Sequence, residues 1–413
     1  MNLIRPFAGL RPAAGRAADV AAPPYDVLST EEARERAGTA RWSFLHISKA
    51  EIDLPPGTDP YSPAVYAKAA ENLRDMIAQG VLVRDDSPCL YVYRLAVEDI
   101  VQTGVVVAAS ITDYDTNRIR KHEFTRPDKE DDRVRQIEAL HAQTGPVLLA
   151  YPDTPQVDAI LAGVAQGKPD SDVTAGDGVR HSIWVIRDEK TVGRLVALFD
   201  AMPALYIADG HHRSAAASRV AASRRNGNPG HSGDEDYNYF LAVALPQHEM
   251  CILPYNRAVR DLNGMSREQF LARIGERFDI ESSSAAVAPA AARNFGMYLD
   301  GSWYKLAVRP EFVRADDPIA RLDVSLLADN LLAPLLGVTD PRRDKRIEFI
   351  GGIRGLPELE RLVDSGQMAC AFSMYATSMG DLMAVADAHQ VMPPKSTWFE
   401  PKLADGLVSH QLD

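Results

Sequence analysis

The chain has 413 residues, of which 46% are hydrophobic and 25% are charged. This length predicts two or three domains, and the composition is ordinary for a soluble globular protein. The formal net charge of -12 disfavours a broad nucleic-acid surface, so we expect no nucleic-acid partner. The three cysteines lie far apart, and we find neither a signal peptide nor an apolar run of membrane-spanning length. These features favour a cytoplasmic protein without a membrane partner.

The N-terminal part predicts short helices, strands and stiff loops. A proline-fixed segment at 21–27 precedes a helix that begins after Ser29 with acidic residues in its first turn. Residues 42–47 predict a strand, and residues 63–79 have helical periodicity that ends at Gly80.

The following two hundred residues mix strands and helices without regular alternation. Residues 89–97 and 101–112 are β-rich runs that predict an antiparallel pair. Further elements are predicted as follows: strands at 146–151, from 205, at 239–245 and at 251–259, and helices up to about 143 and at 212–224. The fold class is therefore α+β, in the sense of a mixed α/β protein.

One stretch concentrates polar side chains where a predicted strand ends and an alanine-rich helix begins. It contains Asp209, Gly210, His211, His212, Arg213 and Ser214. A glycine turn that opens into a helix exposes backbone N–H groups at the positive end of the helix dipole, which predicts an anion site. Arg213 carries a guanidinium suited to phosphate, and Asp209 could hold a metal ion or take a proton. The alternative is a polar cap over the core.

A second cluster follows a β-rich run and precedes a helix. It contains Arg120, Lys121, His122, Glu123, Thr125 and Arg126 within seven positions, followed by Lys129 and Arg133. Acidic and basic groups this close perturb each other's pKa and can orient a phosphate and a base together. Glu123 would be the general base, with Lys121 or Arg126 as a phosphate clamp. The alternative is an exposed, solvated charged turn.

Three further segments contain candidate functional residues. The turn at 23–26 presents a phenol and a carboxylate, Arg257 is a candidate phosphate contact, and residues 395–397 form a Lys-Ser-Thr run in a proline-stiffened loop. Signatures of P-loop kinases, Rossmann dinucleotide sites, HExxH metalloproteases and GxSxG hydrolases are missing, which disfavours those classes.

Gly210, Arg213 and Ala216 form a GxxRxxA pattern that resembles the phosphate-binding box of the ParB/sulfiredoxin-like superfamily. The fuller form, Asp-Gly-His-His-Arg at 209–213, resembles that of the free-serine kinases of this superfamily. The whole chain resembles the bacterial family called domain of unknown function 1015. The resembling segments are 5–7, 22–27, 121–125, 206–213, 253–257 and 392–397.

The resemblance implies a ParB/sulfiredoxin-like nucleotide-binding core at 111–260. It would lie between an N-terminal α/β region at 1–110 and a C-terminal α/β region at 261–413. In the kinases, a glutamate upstream of the box acts as base on the serine hydroxyl, and Glu123 is the candidate here. Because 86 positions separate Glu123 from Asp209, an insertion is expected at about 152–203.

The resemblance further implies a kinase that uses ATP or ADP and phosphorylates a hydroxyl of a small metabolite, with free L-serine as the leading example. It places the nucleotide phosphates at Gly210 and Arg213. Ser214, Lys121, Arg126 and Arg257 are further candidate nucleotide contacts. Asp209 would bind Mg²⁺, while His211 and His212 would steady the transferring group. A sulfiredoxin reaction is excluded, because histidines replace the required cysteine between Gly210 and Arg213.

Two other functions stay open at the level of sequence. One is a nucleotide-binding regulatory protein without kinase turnover. The other is a metal-dependent phosphohydrolase that uses Asp209, His211 and His212. A homodimer is compatible with the sequence.

Overall fold

The computed structural model describes residues 2–412, and their contacts divide the chain into two compact units. The first unit contains the residues up to Met250 together with those from Pro401 onward. The second unit is Cys251–Glu400. The C-terminal segment therefore returns to the first unit after the second unit is complete.

The strands of the first unit up to Met250 are β1 (Ile4–Arg5), β2 (Leu10–Pro12), β3 (Leu82–Arg84), β4 (Leu90–Val97), β5 (Ile100–Ser110), β6 (Ile119–Arg120), β7 (Ala142–Gln143), β8 (Val147–Tyr151), β9 (Ser171–Thr174), β10 (Arg180–Ile186), β11 (Leu205–Asp209) and β12 (Tyr239–Pro246).

The helices of this unit are α1 (Ala17–Val20), α2 (Thr30–Ala37), α3 (Leu45–Ser48), α4 (Pro63–Ala78), α5 (Ile111–Asp115), α6 (Pro127–Leu140), α7 (Pro155–Val164), α8 (Glu189–Asp200) and α9 (His211–Gly227). Short 3-10 turns occupy Tyr25–Val27, Ala50–Asp53, Asp236–Asn238 and Gln247–Glu249. The capping box at Ser29 and the stop at Gly80 confirm the predicted limits of α2 and α4.

The main sheet of the first unit has nine strands within the described residues. Eight follow the order β6-β11-β8-β12-β5-β4-β10-β9, and β1 also pairs with β5. Most neighbours are antiparallel, including the predicted β4–β5 pair, but β6–β11 and β8–β12 are parallel. Strands from both sides of residue 110 share this sheet, so the structure joins the N-terminal and central regions that the sequence analysis divides.

The sheet is central because its inner strands are apolar on both faces. Every residue of β12 is buried, as is every residue of β8, which is typical of a strand covered on both sides. Helix α9 packs closely because its alanines are small. Ala217 and Ala221 lie in the core of the sheet, while Ala216 and Val220 form a cluster with Ile137 of α6.

The second unit has its own sheet and core. Its strands are β13 (Cys251–Leu253), β14 (Tyr255–Val259), β15 (Phe278–Ser283), β16 (Asn294–Leu299), β17 (Ser302–Val308), β18 (Ile347–Gly351), β19 (Cys370–Ser373) and β20 (Trp398–Glu400). Its helices are α10 (Arg267–Ile274), α11 (Asp323–Leu327), α12 (Gly355–Asp364) and α13 (Met379–Asp387), with a π turn at Ala328–Leu332 and 3-10 turns at Pro310–Phe312 and Gly352–Arg354. An antiparallel sheet runs in the order β15-β17-β16-β19-β14-β18, and β13 pairs with β20.

The last strand, β21 (His410–Gln411), belongs to the first unit and pairs with β7. In the same segment, Asp405 exchanges backbone hydrogen bonds with Ala22 at 2.9 and 3.1 Å. These pairings hold the C-terminal segment in the first unit. No helix among residues 2–412 is long and apolar enough to cross a membrane.

Two secondary-structure predictions were wrong. Residues 42–47 were predicted as a strand, but α3 covers Leu45–Ser48, because a helical turn lets Leu45 and Ile47 enter the core together. The single strand predicted at 251–259 is divided into β13 and β14 at Pro254, whose nitrogen cannot donate a ladder hydrogen bond.

A substitution at Gly406 tests how much the packing of the C-terminal segment contributes to the stability of the first unit. Its φ is +86°, and an added Cβ would lie 2.7 Å from the Phe44 ring. We expect Gly406→Ala to lower the free energy of unfolding by ~3 kcal/mol, because backbone strain and overpacking combine. Urea unfolding of the full-length protein measures this loss.

Gly15→Ala is the matched control, because Gly15 has a similar φ of +81° but an added Cβ would meet nothing within 4 Å. Gly15→Ala should lower the free energy of unfolding by only ~1 kcal/mol, because only backbone strain contributes. Equal losses in the two variants would contradict the packing of Gly406 against Phe44.

Candidate functional site

The site is created by two parallel strands that are distant in sequence. Strand β6 pairs with β11 in the register Ile119 with Leu205 and Arg120 with Tyr206. Because the strands run in the same direction, the chain leaves both at the same edge. The segment after β6, residues 121–126 (hereafter the Glu123 loop), therefore lies beside the start of α9.

A tight turn at Gly210 links β11 to α9. Gly210 has a φ of +99°, and an added Cβ would lie 3.1 Å from Cζ of Arg213. Helix α9 begins directly afterwards at His211. The N–H groups of the first turn have no carbonyl partner within a helix, and the dipole there is positive. The predicted glycine turn and helix start are therefore present, and their use as an anion site stays a prediction.

Two histidines connect the helix start to the Glu123 loop. The N–H of His122 donates to Nε2 of His211 at 3.3 Å, and the N–H of Arg126 donates to Nε2 of His212 at 3.1 Å. An imidazole nitrogen that accepts an N–H must carry a lone pair, so each neutral ring holds its proton on Nδ1. Nδ1 of His211 lies 3.8 Å from Oε2 of Glu123.

Burial keeps these histidines neutral. It lowers the pKa of His211 well below the ordinary value, and nearby His122 and His212 lower that pKa further. Burial also lowers the pKa of His122 to about 4 and is the main cause of the lowered pKa of His212. Near pH 7, all three rings are therefore uncharged.

His122, Glu123 and His211 form a cluster whose potential ligand atoms lie within 4.8 Å of one another. This set does not fit a metal ion as it stands. The lone pair of His211 Nε2 accepts the His122 amide, and Nδ1 then carries the proton. A metal ion could bind His211 only after that hydrogen bond was broken.

Asp209 lies between two cations at the end of β11. Its Oδ2 is 3.5 Å from Nη2 of Arg213 and 3.7 Å from Nζ of Lys402. Desolvation raises the pKa of Asp209, but the charges of Lys402 and Arg213 outweigh it, so the pKa is lowered overall. Two cations already neutralise this carboxylate, and the surroundings do not fit the predicted Mg²⁺ at Asp209.

Arg213 lies behind the turn. Its Nη1 donates to the carbonyl of Pro146, and its side chain is only 11% exposed. Its guanidinium also borders a cavity of about 30 Å³ that Tyr25, Arg133 and Asp405 help to line. The predicted contact of Arg213 with phosphate stays a prediction, because two of its nitrogen atoms already face protein oxygens.

The cavity has a polar wall with unsatisfied groups. Oδ1 of Asp405 and Oγ of Ser48 are buried without a hydrogen-bond partner. The guanidinium of Arg133 stacks 3.8 Å from the Tyr25 ring centroid. Burial raises the pKa of Asp405 to about 7, with Arg213 and Arg133 opposing the rise and Asp26 adding to it.

The remaining predicted residues have varied surroundings. Nζ of Lys121 lies 3.9 Å from the Tyr114 ring centroid, and burial lowers the pKa of Lys121. Exposed Arg126 pairs with Asp128 at 2.8 Å. The buried hydroxyl of Ser214 donates to the His211 carbonyl at 3.0 Å.

Arg257 lies in the second unit. There its guanidinium donates to the carbonyls of Tyr255 and Lys395, and burial lowers its pKa to about 9. A nucleotide contact by Arg257 stays a prediction.

The family model described as "Protein of unknown function (DUF1015)" matches residues 4–325. The chain belongs to this family. A comparison with curated proteins finds no match.

Several solved structures, including the following three, are distantly similar to this DUF1015 protein. A free serine kinase in complex with AMP has 12% identity and a TM-score of 0.32, covering 72% of this chain and 86% of that one. A conserved hypothetical protein from Pyrococcus furiosus has 13% identity and a TM-score of 0.33, covering 73% and 94%. SbnI with a C-terminal truncation, from Staphylococcus aureus, has 10% identity and a TM-score of 0.35, covering 72% and 84%.

Sequence reasoning missed part of the site of this DUF1015 protein. Lys402 and Asp405 were not proposed, and the turn containing Tyr25 was left undecided. The one signal for Tyr25 was its proline-stiffened setting. The sequence contains no signal for Lys402 or Asp405. The return of the C-terminal segment to the first unit brings Lys402 to Asp209 and Asp405 to the cavity.

The raised pKa of Asp405 predicts a pH-dependent stability for the DUF1015 protein. Between about pH 4 and pH 7 the folded protein keeps this proton while the unfolded chain loses it. The contribution of Asp405 to the free energy of unfolding therefore falls as pH rises through this window. Asp405→Asn removes the titration, so the variant should gain at most ~4 kcal/mol relative to wild type between pH 4 and pH 8.

Urea unfolding of both proteins at several pH values measures this difference. Asp19→Asn, which changes a half-exposed carboxylate at the surface, serves as the control. A difference between Asp405→Asn and wild type that does not change with pH would contradict the assignment.

Proposed function

We propose that this DUF1015 protein is a nucleotide-dependent kinase that phosphorylates a hydroxyl of a small metabolite. The observation that carries the proposal is the position of Glu123 beside the start of α9. Its Oε2 is 3.8 Å from Nδ1 of His211, the first residue of that helix. A candidate base and a candidate phosphate site are therefore neighbours.

The nucleotide would bind through its phosphates at the Gly210 turn. Glycine leaves room for close approach, and the first amides of α9 offer donors to phosphate oxygens. Arg213 and Lys402 add positive charge from behind the turn, each within 3.7 Å of Asp209. The donor is ATP or ADP, which enters as its Mg²⁺ complex.

The acceptor hydroxyl would be activated by Glu123. The Glu123 side chain is 56% exposed, so a bound substrate can reach its carboxylate. The carboxylate takes the hydroxyl proton while the hydroxyl oxygen forms a bond to the terminal phosphorus. The bond from that phosphorus to the bridging oxygen breaks, and the nucleotide leaves one phosphate shorter. Positioning and charge stabilisation are the main requirements of such a transfer.

The identity of the acceptor rests on the resemblance of residues 209–213 to free-serine kinases. Free L-serine is therefore the first acceptor to test. The same pattern supports a ParB/sulfiredoxin-like nucleotide-binding core, which the parallel β6–β11 pair and the α9 turn would supply.

Glu123→Gln tests the proposal most simply, because glutamine keeps the shape but cannot take a proton. ATP and ADP, each with Mg²⁺, are offered with a panel of hydroxyl amino acids, and phosphorylated product is measured by mass spectrometry. We expect kcat to fall by at least ~100-fold in Glu123→Gln, the usual contribution of a general base, with nucleotide affinity unchanged.

Glu98→Gln, at an exposed turn between β4 and β5, is the matched control and should keep full activity. Nucleotide binding without any phosphorylated acceptor would reject the kinase and favour the regulatory protein. Equal activity in Glu123→Gln and wild type would reject Glu123 as the base.

A further inference from the structure

The Glu123 loop is attached to α9 at two points. The amide of His122 near its beginning donates to His211, and the amide of Arg126 at its end donates to His212. Between these points the side chains of Glu123 and Phe124 are largely exposed, with Phe124 72% exposed. Adjacent histidines on the helix therefore fix both ends of the segment that carries the candidate base.

Both hydrogen bonds use the same ring atom, Nε2, and neither can form if that atom carries a proton. The second nitrogen of His211 is then a donor that faces Glu123 at 3.8 Å. The His211 ring is 4% exposed and lies edge-to-face with the His122 ring at 4.5 Å between centroids. Its orientation is thus fixed by packing as well as by hydrogen bonding.

We infer that His211 and His212 are positioning residues whose Nε2 atoms latch the Glu123 loop to α9, with His211 also presenting Nδ1–H toward the Glu123 carboxylate. We call these two hydrogen bonds the latch. Its role in catalysis rests on the proposed function, in which the latch holds the base Glu123 next to the phosphate site. The hydrogen bonds and tautomers are properties of the protein without substrate. The histidines therefore act through Glu123 rather than on the transferring phosphoryl group.

The tautomer of each ring can be measured directly on the full-length protein. Long-range ¹H–¹⁵N spectra of uniformly ¹⁵N-labelled protein at pH 7.5 distinguish a protonated Nδ1 from a protonated Nε2. Signals are assigned by their loss in His211→Gln and His212→Gln. We expect Nδ1–H in both rings, and Nε2–H in either ring would overturn the latch at that residue.

Two substitutions at each histidine separate the latch from simple loss of the ring. The carbonyl oxygen of glutamine can reach the place of Nε2, whereas the shorter asparagine reaches only the place of Nδ1. We expect hydrogen exchange at the amides of His122 and Arg126 to rise about tenfold in His211→Asn and His212→Asn respectively, as for the loss of one hydrogen bond. The glutamine variants should exchange nearly as slowly as wild type.

His248→Gln is the control, because this half-exposed histidine pairs with Asp153 and its change should leave both amides unaffected. Equal exchange in the glutamine and asparagine variants would overturn the inference. One equivalent of Zn²⁺ bound to wild type and lost in His211→Gln would also overturn it, since the lone pair would then serve a metal ion.

The kinase assay then separates the two proposals. If both hold, His211→Asn should lower kcat with little change in KM for nucleotide, and His211→Gln should restore most of the rate. A second result is that no acceptor is phosphorylated while the ring tautomers and the amide exchange rates match the expectation. That result would support the latch and reject the proposed reaction. A kcat that falls equally in both variants, with protected amides, would show that His211 acts on the substrate.

Discussion

The parallel pairing of β6 with β11 is the contact on which the candidate site depends. It brings residues 121–126 to the Gly210 turn although 86 positions separate Glu123 from Asp209. The chain between the two strands supplies β8 to β10 of the same sheet together with α6, α7 and α8. The N–H donors to the two histidines, the edge-to-face ring contact and the approach of Glu123 all follow from this one register.

The charges around the turn are balanced locally, although the whole chain has a net charge of -12. Asp209 faces Arg213 and Lys402. Burial lowers the pKa values of His122 and His211, and partial burial lowers that of His212, so all three rings are neutral near pH 7. The carboxylate at the end of β11 therefore presents little net negative charge, and the positive end of α9 is left available to an anion. An acidic protein can in this way keep a site that attracts phosphate.

Local features of this site were predictable from the sequence, and their long-range partners were not. Asp-Gly before an alanine-rich stretch predicted a strand, a glycine turn and a helix start, and Gly210 and α9 provide them. Glu123 was predicted as the general base, and in the structure its carboxylate lies 3.8 Å from His211 at the start of α9. The use of Nε2 as an acceptor, however, depends on the positions of the His122 and Arg126 amides. Residue spacing in the sequence does not predict those positions.

The mixed α/β class was likewise predictable, whereas the boundaries of the units were not. Apolar runs such as β12 predict buried strands, but they do not predict which strands pair with each other. The sequence contains no signal that the chain after Glu400 returns to the first unit, where Lys402 meets Asp209. Phe44 was assigned to a strand because short apolar runs fit either periodicity, and packing against the core decided for a helical turn.

The most direct test of the central claim is a crystal structure of the full-length protein with Mg²⁺ and a nonhydrolysable ATP analogue. We expect the phosphates to accept hydrogen bonds from the amides at the start of α9, next to Gly210, with the carboxylate of Glu123 facing the terminal phosphate across a space for the acceptor. A nucleotide bound elsewhere on the first unit, or phosphates out of reach of Glu123, would contradict the proposed site.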